Sequence, residues 1–67
     1  MSDLSLASMD RLLRKSGAER ISEGACAALA EALEARGQEI GAKAIKYANH
    51  AGRKTITEQD VKLARSE

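Results

Sequence analysis

Apolar side chains recur at helical spacing in three segments of the chain. The middle segment is the longest, and its apolar positions lie 4, 7, 4, 3 and 4 residues apart. These positions are Leu29, Leu33, Ile40, Ala44, Tyr47 and Ala51. A shorter stripe precedes them and another follows, at Leu6, Met9, Leu12 and Leu13 and at Val61 and Ala64. The pattern predicts an all-α chain with helices at about residues 4–16, 22–50 and 57–66.

The two segments between the predicted helices share one pattern. Residues 17–22 and 52–57 each hold a glycine, a polar stretch with an arginine, an isoleucine and a final hydroxyl residue. Glycine favours the end of one helix, while Ser22 and Thr57 are good N-caps for the next. We expect the isoleucine before each cap to form a short strand with the other loop. That pairing must join two chains, because a helix of ~29 residues holds its ends ~40 Å apart.

The small size of the chain predicts a partner. It has 67 residues, and its apolar content of 43% is rich in alanine, with no Phe, Trp or Pro. A chain this short, expected to form a single domain over residues 1–67, is marginal alone. One Cys and one His exclude an internal disulfide and a four-ligand zinc site. We therefore expect a second copy across the middle helix, where small residues allow a close crossing at Ala32, Ala35, Gly37 and Gly41.

Charge is distributed unevenly, although the formal net charge is only +1. Residues 1–20 carry four basic and three acidic side chains. Residues 21–40 carry one basic and four acidic side chains, and residues 41–67 carry six basic and three acidic ones. The positive groups therefore lie at the two flanks, and the negative groups lie in the first half of the middle helix. The uneven distribution of charge is a better guide to binding partners than the net charge is.

Several classes of protein are excluded on composition and motifs. No run approaches the ~20 apolar residues of a membrane helix, and the N-terminal residues do not resemble an export signal. A single Cys fits a reducing cytoplasm, and Cys26 is expected to be a small apolar packing residue. No glycine loop for phosphate, paired carboxylates or metal cluster is recognisable. The sequence thus predicts no enzymatic activity, no cofactor, no metal and no small-molecule substrate.

The chain resembles the archaeal histones over essentially its whole length. The resemblance is carried by the order of short helix, loop, long helix, loop and short helix, and by residues 17–22 and 44–56. It implies the histone fold and an intertwined antiparallel homodimer, in which the first loop of each chain lies beside the second loop of its partner. It further implies double-stranded DNA as the partner, wrapped with little sequence preference, higher oligomers on that DNA, and a place in the nucleoid.

The resemblance also implies roles for individual residues in DNA binding. Arg20 matches the minor-groove arginine of the first loop. Lys54 and Thr55 match the phosphate-contacting pair of the second loop. Arg11 matches a basic residue of the first helix that meets phosphate. Arg14 and Lys15, close to it, form either a basic edge for DNA or an ordinary solvent-exposed face.

Other matched positions serve loop structure and assembly. Arg53 and Asp60 match an intrachain pair that braces the second loop. Gly17 matches a glycine whose small size lets successive turns of a superhelix approach. The positions used between dimers are Tyr47, His50, Asp60 and Leu63. His50 is either a surface residue that caps the middle helix or a partner for Asp60 of another dimer.

The principal alternative is a transcription-factor-like histone-fold module that pairs with a different histone-fold chain, mainly for protein contacts. The near-neutral charge favours it, as does Asn49, which stands where the family often has a basic residue. A domain that reads bases through a recognition helix fits less well, because the middle helix is too long for a helix-turn-helix. A purely structural dimer leaves the basic second loop unexplained.

Overall fold

Three α-helices make up the computed structural model, which describes residues 4–67. They are α1 (Leu6–Lys15), α2 (Glu23–His50) and α3 (Glu58–Arg65). Within residues 4–67 there is no strand. The all-α prediction is therefore confirmed, and the predicted helix ends agree with the observed ones to within two residues. The strand pairing expected between loops requires a second chain and stays a prediction.

The first loop, residues 16–22, begins with a hydrogen-bonded turn around a glycine. The Gly17 N–H donates to the Arg14 carbonyl at 3.0 Å, and the Ala18 N–H donates to the Leu13 carbonyl at 3.1 Å. These two bonds define a Schellman motif, which requires a left-handed residue after the helix. Gly17 supplies it with a φ of 109°. The sequence prediction that Gly17 ends α1 is confirmed.

The second loop, residues 51–57, begins in the same way. The Gly52 N–H donates to the Asn49 carbonyl at 3.0 Å, and the Arg53 N–H donates to the Ala48 carbonyl at 2.9 Å. Gly52 has a φ of 73°. The pattern shared by the two loop sequences therefore reflects one turn geometry used twice.

Side-chain caps fix the start of the first two helices. The Ser22 hydroxyl accepts a hydrogen bond from the Ala25 N–H at 3.0 Å, which confirms Ser22 as the cap of α2. The Ser5 hydroxyl accepts one from the Ser8 N–H at 3.3 Å, so it caps α1. The predicted first helix began slightly too early because this cap went unrecognised.

The chain divides into two compact units, residues 4–35 and Arg36–Glu67. In the first unit, Met9 of α1 is buried with Cys26 and Ala30 of α2. Three partly buried side chains pack against them: Leu13, Ile21 and Leu29. Cys26 has 5% of its surface exposed, which agrees with its predicted role as a packing residue.

The second unit is held together by alanines and by contacts to the end of α3. Ala44 and Ala48 of α2 and Ala64 of α3 are buried. Arg36 of α2 donates to the Arg65 carbonyl at 3.4 Å, which satisfies an otherwise open carbonyl in the last turn of α3. The short alanine side chains leave little apolar surface to bury within this unit.

Many larger apolar side chains remain exposed in the single chain. Their exposed fractions run from 38% to 52%, and they are Leu4, Leu6, Leu12, Leu33, Ile45, Ile56, Val61 and Leu63. Among the described residues the buried apolar set consists of one methionine, one cysteine and four alanines. A core this small contributes little hydrophobic free energy of folding.

Replacing Gly17 by alanine is expected to destabilise the protein even in the absence of DNA. A side chain at a φ of 109° is strained, and such strain costs about 1–3 kcal/mol in free energy of unfolding. Gly24 is the matched control, since it lies within α2 and an added Cβ would meet only the Ser22 hydroxyl, at 3.9 Å. Urea unfolding at one fixed chain concentration measures both variants. A Gly17→Ala protein as stable as Gly24→Ala would contradict this local explanation of the glycine.

Candidate nucleic-acid interface

The second loop is organised around the guanidinium group of Arg53. Its Nη1 and Nη2 atoms donate to the two carboxylate oxygens of Asp60, at 2.8 Å and 2.9 Å. Nη1 also donates to the Thr55 carbonyl at 3.0 Å. This two-pronged geometry is the strong form of an arginine–carboxylate pair. The structure thus brings Arg53 and Asp60 together and links the loop to α3.

Asp60 is the buried end of this network, with 4% of its surface exposed. Its Oδ2 also accepts hydrogen bonds from the N–H of Thr57 at 2.8 Å and from the Thr57 hydroxyl at 3.1 Å. The hydrogen bond from Arg53, followed by that from the Thr57 backbone, holds the pKa of Asp60 well below its usual range. The carboxylate is therefore charged, and it fixes both the loop and the start of α3.

Among the described residues, the side chains of Lys54 and Thr55 take no part in this network. Lys54 and Thr55 are exposed, and across residues 4–67 Lys54 forms no ion pair. The arginine of this loop thus holds the loop in shape, whereas the neighbouring lysine keeps its charge available to solvent.

At the end of α1, beside the first loop, a second arginine is held in a similar way. Arg14, in the last turn of α1, donates from Nε to Asp10 at 2.8 Å and from Nη1 to the Glu19 carbonyl at 3.3 Å. The hydrogen bond to Asp10, and then the charge of that carboxylate, raise the pKa of Arg14. Arg14 therefore joins α1 to the first loop.

The other basic residues around the first loop are less constrained. Arg20 and Lys15 are exposed, and neither takes part in an ion pair within the described part of the chain. Arg11 is exposed and donates to the Ser8 hydroxyl at 3.2 Å. These side chains are available to an anionic partner, and their predicted contacts with DNA stay predictions.

The positions predicted to lie between dimers differ in exposure. Leu63 is 52% exposed, His50 is exposed and Tyr47 is half-buried. Asp60 is buried, and its Oδ1 accepts one bond, from Arg53, while Oδ2 accepts three. A carboxylate oxygen can accept more than one hydrogen bond, so Oδ1 has unused acceptor capacity, and only 4% of the residue's surface is exposed.

Sequence reasoning did not identify Asp10 as a partner of Arg14. The spacing of four residues on one helix was a usable signal, because side chains so spaced lie next to each other. The contact between Arg14 and the Glu19 carbonyl gives no such signal, since it depends on the path of the loop. Likewise, the bond from Arg36 to the Arg65 carbonyl joins residues far apart in sequence.

Among residues 4–67 no three or more His, Cys, Asp or Glu side chains are grouped to hold a metal ion. In that same part of the chain, none of the helices combines the length and the apolar character needed to cross a membrane.

Comparison with known proteins establishes the family. The model for histone-like transcription factors (CBF/NF-Y) and archaeal histones matches residues 3–64. The chain therefore belongs to this histone-fold family, and its three helices form the corresponding all-α fold. It is 56% identical over 64 residues to a HAN1 archaeal histone chain of Thermococcus zilligii, covering 96% of each protein. It is 47% identical over 64 residues to probable archaeal histone 3 of Methanocaldococcus jannaschii, again covering 96% of each. The resemblance to archaeal histones is thus confirmed.

Asp60 is expected to make stability depend on acid pH. Its pKa is lower in the folded protein than in the unfolded chain, where it lies near ~3.9. Its contribution is therefore fully present above that value and is lost as the pH falls towards the folded pKa. Asp60→Asn should lower the urea midpoint at pH 7 and weaken its decline between pH 5 and pH 2.

Asp10→Asn serves as the control for this experiment, because it neutralises a partly exposed carboxylate that is paired within one helix. Such pairs contribute little to stability. An Asp60→Asn profile that parallels the wild type across this pH range would show that the buried pair does not have the assigned role.

Proposed function

We propose that this chain is an archaeal-type histone that binds duplex DNA as a homodimer and wraps or compacts it with little sequence preference. The main support for this proposal is that the two basic residues of the second loop differ in their contacts. Arg53 is bound by Asp60 and Thr55, while Lys54 is exposed and outside any ion pair of the described chain. Because Arg53 holds the loop rigid, the neighbouring Lys54 is presented to phosphate at a fixed position.

Arg20 has the corresponding role in the first loop. Its side chain is exposed and pairs with no carboxylate of the described residues. A long, flat guanidinium suits the narrow minor groove, where histone arginines insert without base-specific contacts. Thr55 supplies a hydroxyl donor and Arg11 a further positive group for phosphate. Lys15 is a candidate for the same edge.

The exposed apolar residues support the homodimer. Eight large apolar side chains are 38–52% exposed in the single chain, while the buried set consists mainly of alanine. A second copy would cover them and supply the missing hydrophobic free energy. In an antiparallel arrangement, the first loop of each chain lies beside the second loop of its partner. Arg20 of one chain and Lys54 of the other then share one edge.

Further association of dimers is part of the same proposal. Leu63, with 52% of its surface exposed, and Tyr47 supply apolar area for a contact between dimers. His50 donates to Asp60 of another dimer at the oxygen that retains acceptor capacity. Gly17 allows successive turns of the assembly to approach. On DNA, such an assembly belongs to the nucleoid.

A heterodimer with a histone paralogue is the second candidate. It is favoured by the name of the Thermococcus relative, which describes that protein as one of the subunits of HAN1. A net charge of only +1 favours it as well. In that case the chain would act mainly through contacts with its partner chain. Nuclease protection by the purified protein alone separates the two candidates.

A ladder of protected DNA lengths is the expected outcome of that experiment, because added dimers extend the protected segment. A single short protected length would limit the assembly to a dimer or tetramer. Absence of protection, together with protection once a second histone chain is added, would contradict the homodimer and support the heterodimer.

Arg20→Ala and Lys54→Ala are each expected to weaken binding to all duplexes alike. Each lost phosphate contact should also reduce the slope of log K against log salt by about 0.9. Lys62→Ala is the charge-matched control, since this lysine pairs with Glu58 within α3 and has no assigned role in DNA binding. Fluorescence anisotropy with two unrelated duplexes measures the affinities. A loss confined to one sequence, or an equal loss in the control, would contradict the assignment.

A further inference from the structure

We propose that Arg14 is a positioning residue for DNA binding, which holds the first loop so that Arg20 is presented in a fixed orientation. From the sequence, Arg14 belongs either to a basic edge that binds DNA or to an ordinary solvent-exposed face. The positioning role differs from both. The proposal rests on the proposed function, since it concerns how Arg20 meets DNA.

The contacts of Arg14 span the junction between α1 and the loop. On one side its Nε donates to Asp10 at 2.8 Å, with a weaker contact from Nη2 at 3.5 Å. On the other side its Nη1 donates to the Glu19 carbonyl at 3.3 Å. Asp10 thus fixes the guanidinium plane against the helix, and the guanidinium reaches the loop.

The acceptor in the loop is the carbonyl next to Arg20. The Glu19 carbonyl and the Arg20 N–H belong to one planar peptide unit, which moves as a rigid group. A hydrogen bond that restrains this carbonyl therefore restrains the backbone from which the Arg20 side chain extends. Arg20 itself makes no ion pair among the described residues, so its orientation depends on that backbone.

The second loop has a related arrangement, although its bound carbonyl lies in the Thr55–Ile56 peptide unit and not in one that includes the Lys54 N–H. There Arg53 joins a carboxylate, Asp60, to a loop carbonyl, that of Thr55. The residue adjoining Thr55 is Lys54, which is exposed and outside the ion pairs described above. In both units an arginine is bound by a carboxylate and a loop carbonyl, and a neighbouring basic residue is left free.

Arg14 is a poor choice for direct phosphate binding in this arrangement. Asp10 lies 2.8 Å from its Nε, so the two charges largely offset each other at the distance of a phosphate. Exposed pairs of this kind add little to stability. The effect of breaking the pair should therefore be seen in DNA binding more than in folding.

Asp10→Ala distinguishes a positioning role of Arg14 from direct phosphate binding, because the two roles predict opposite changes in DNA affinity. Removing a carboxylate raises the net charge, and it frees Arg14 if that residue binds phosphate, so a direct role predicts tighter binding. The positioning role predicts weaker binding, by roughly two- to tenfold, the range of one net hydrogen bond. Glu31→Ala is the charge-matched control, because Glu31 is exposed and unpaired with any base in the described chain. It should not weaken binding.

Two further variants link the effect to Arg20. Arg14→Lys keeps the charge but cannot contact Asp10 and the Glu19 carbonyl in the same planar geometry. It should weaken binding as Asp10→Ala does, whereas a phosphate-binding role would leave it near the wild type. In an Arg20→Ala background, Asp10→Ala should lose its effect, since coupled residues give non-additive changes.

The measurement is anisotropy of the full-length wild type and variants with one mixed-sequence duplex, after circular dichroism shows equal helix content. If Arg20→Ala weakens binding but Asp10→Ala tightens it, the positioning role is overturned while DNA binding stands. If the wild type fails to bind, both proposals fail. Weakening by Asp10→Ala that persists without Arg20 would also overturn the positioning role.

Discussion

The bond between Arg53 and Asp60 is the interaction on which the second loop depends. It uses one cation to tie the loop to α3, and the backbone and hydroxyl of Thr57 bind the same carboxylate. The two adjacent cations of this loop, Arg53 and Lys54, repel each other unless one of them is neutralised. Neutralising Arg53 within the chain allows Lys54 to remain exposed at a defined place.

The second constraint is the small amount of apolar side chain that the chain can bury. Ala44, Ala48 and Ala64 have almost no exposed surface, so these parts of the helices cannot pack more closely. Leu33 and Ile45 of α2 nevertheless remain 38% and 49% exposed. In the proposed homodimer, association of two copies would supply the hydrophobic free energy that the single chain lacks. Dimer formation and folding are then one process in the proposed assembly.

The helices could be predicted from sequence because their signals are local. Gly17 and Gly52 mark two turns of one type, and Ser22 and Thr57 precede α2 and α3. The spacing of apolar residues then defines what lies between. The Ser5 cap of α1 was not predicted from the sequence.

The candidate site could be predicted only in part. Its residues came from the resemblance to archaeal histones, which pairs Arg53 with Asp60. The role of Arg14 could not be predicted, because it depends on a carbonyl whose position is set by the loop. The sequence shows which residues are charged. Which of them form hydrogen bonds or ion pairs within the chain depends on the path of the backbone.

In the proposed function, exposed loop cations bind phosphate without reading base sequence. The salt dependence of wild-type affinity for two duplexes of unrelated sequence is the measurement that decides this. We predict parallel lines of log K against log salt, with slopes of about −0.9 for each phosphate contacted, and closely similar affinities. Affinity that is insensitive to salt, or that differs strongly between the two sequences, would contradict the claim.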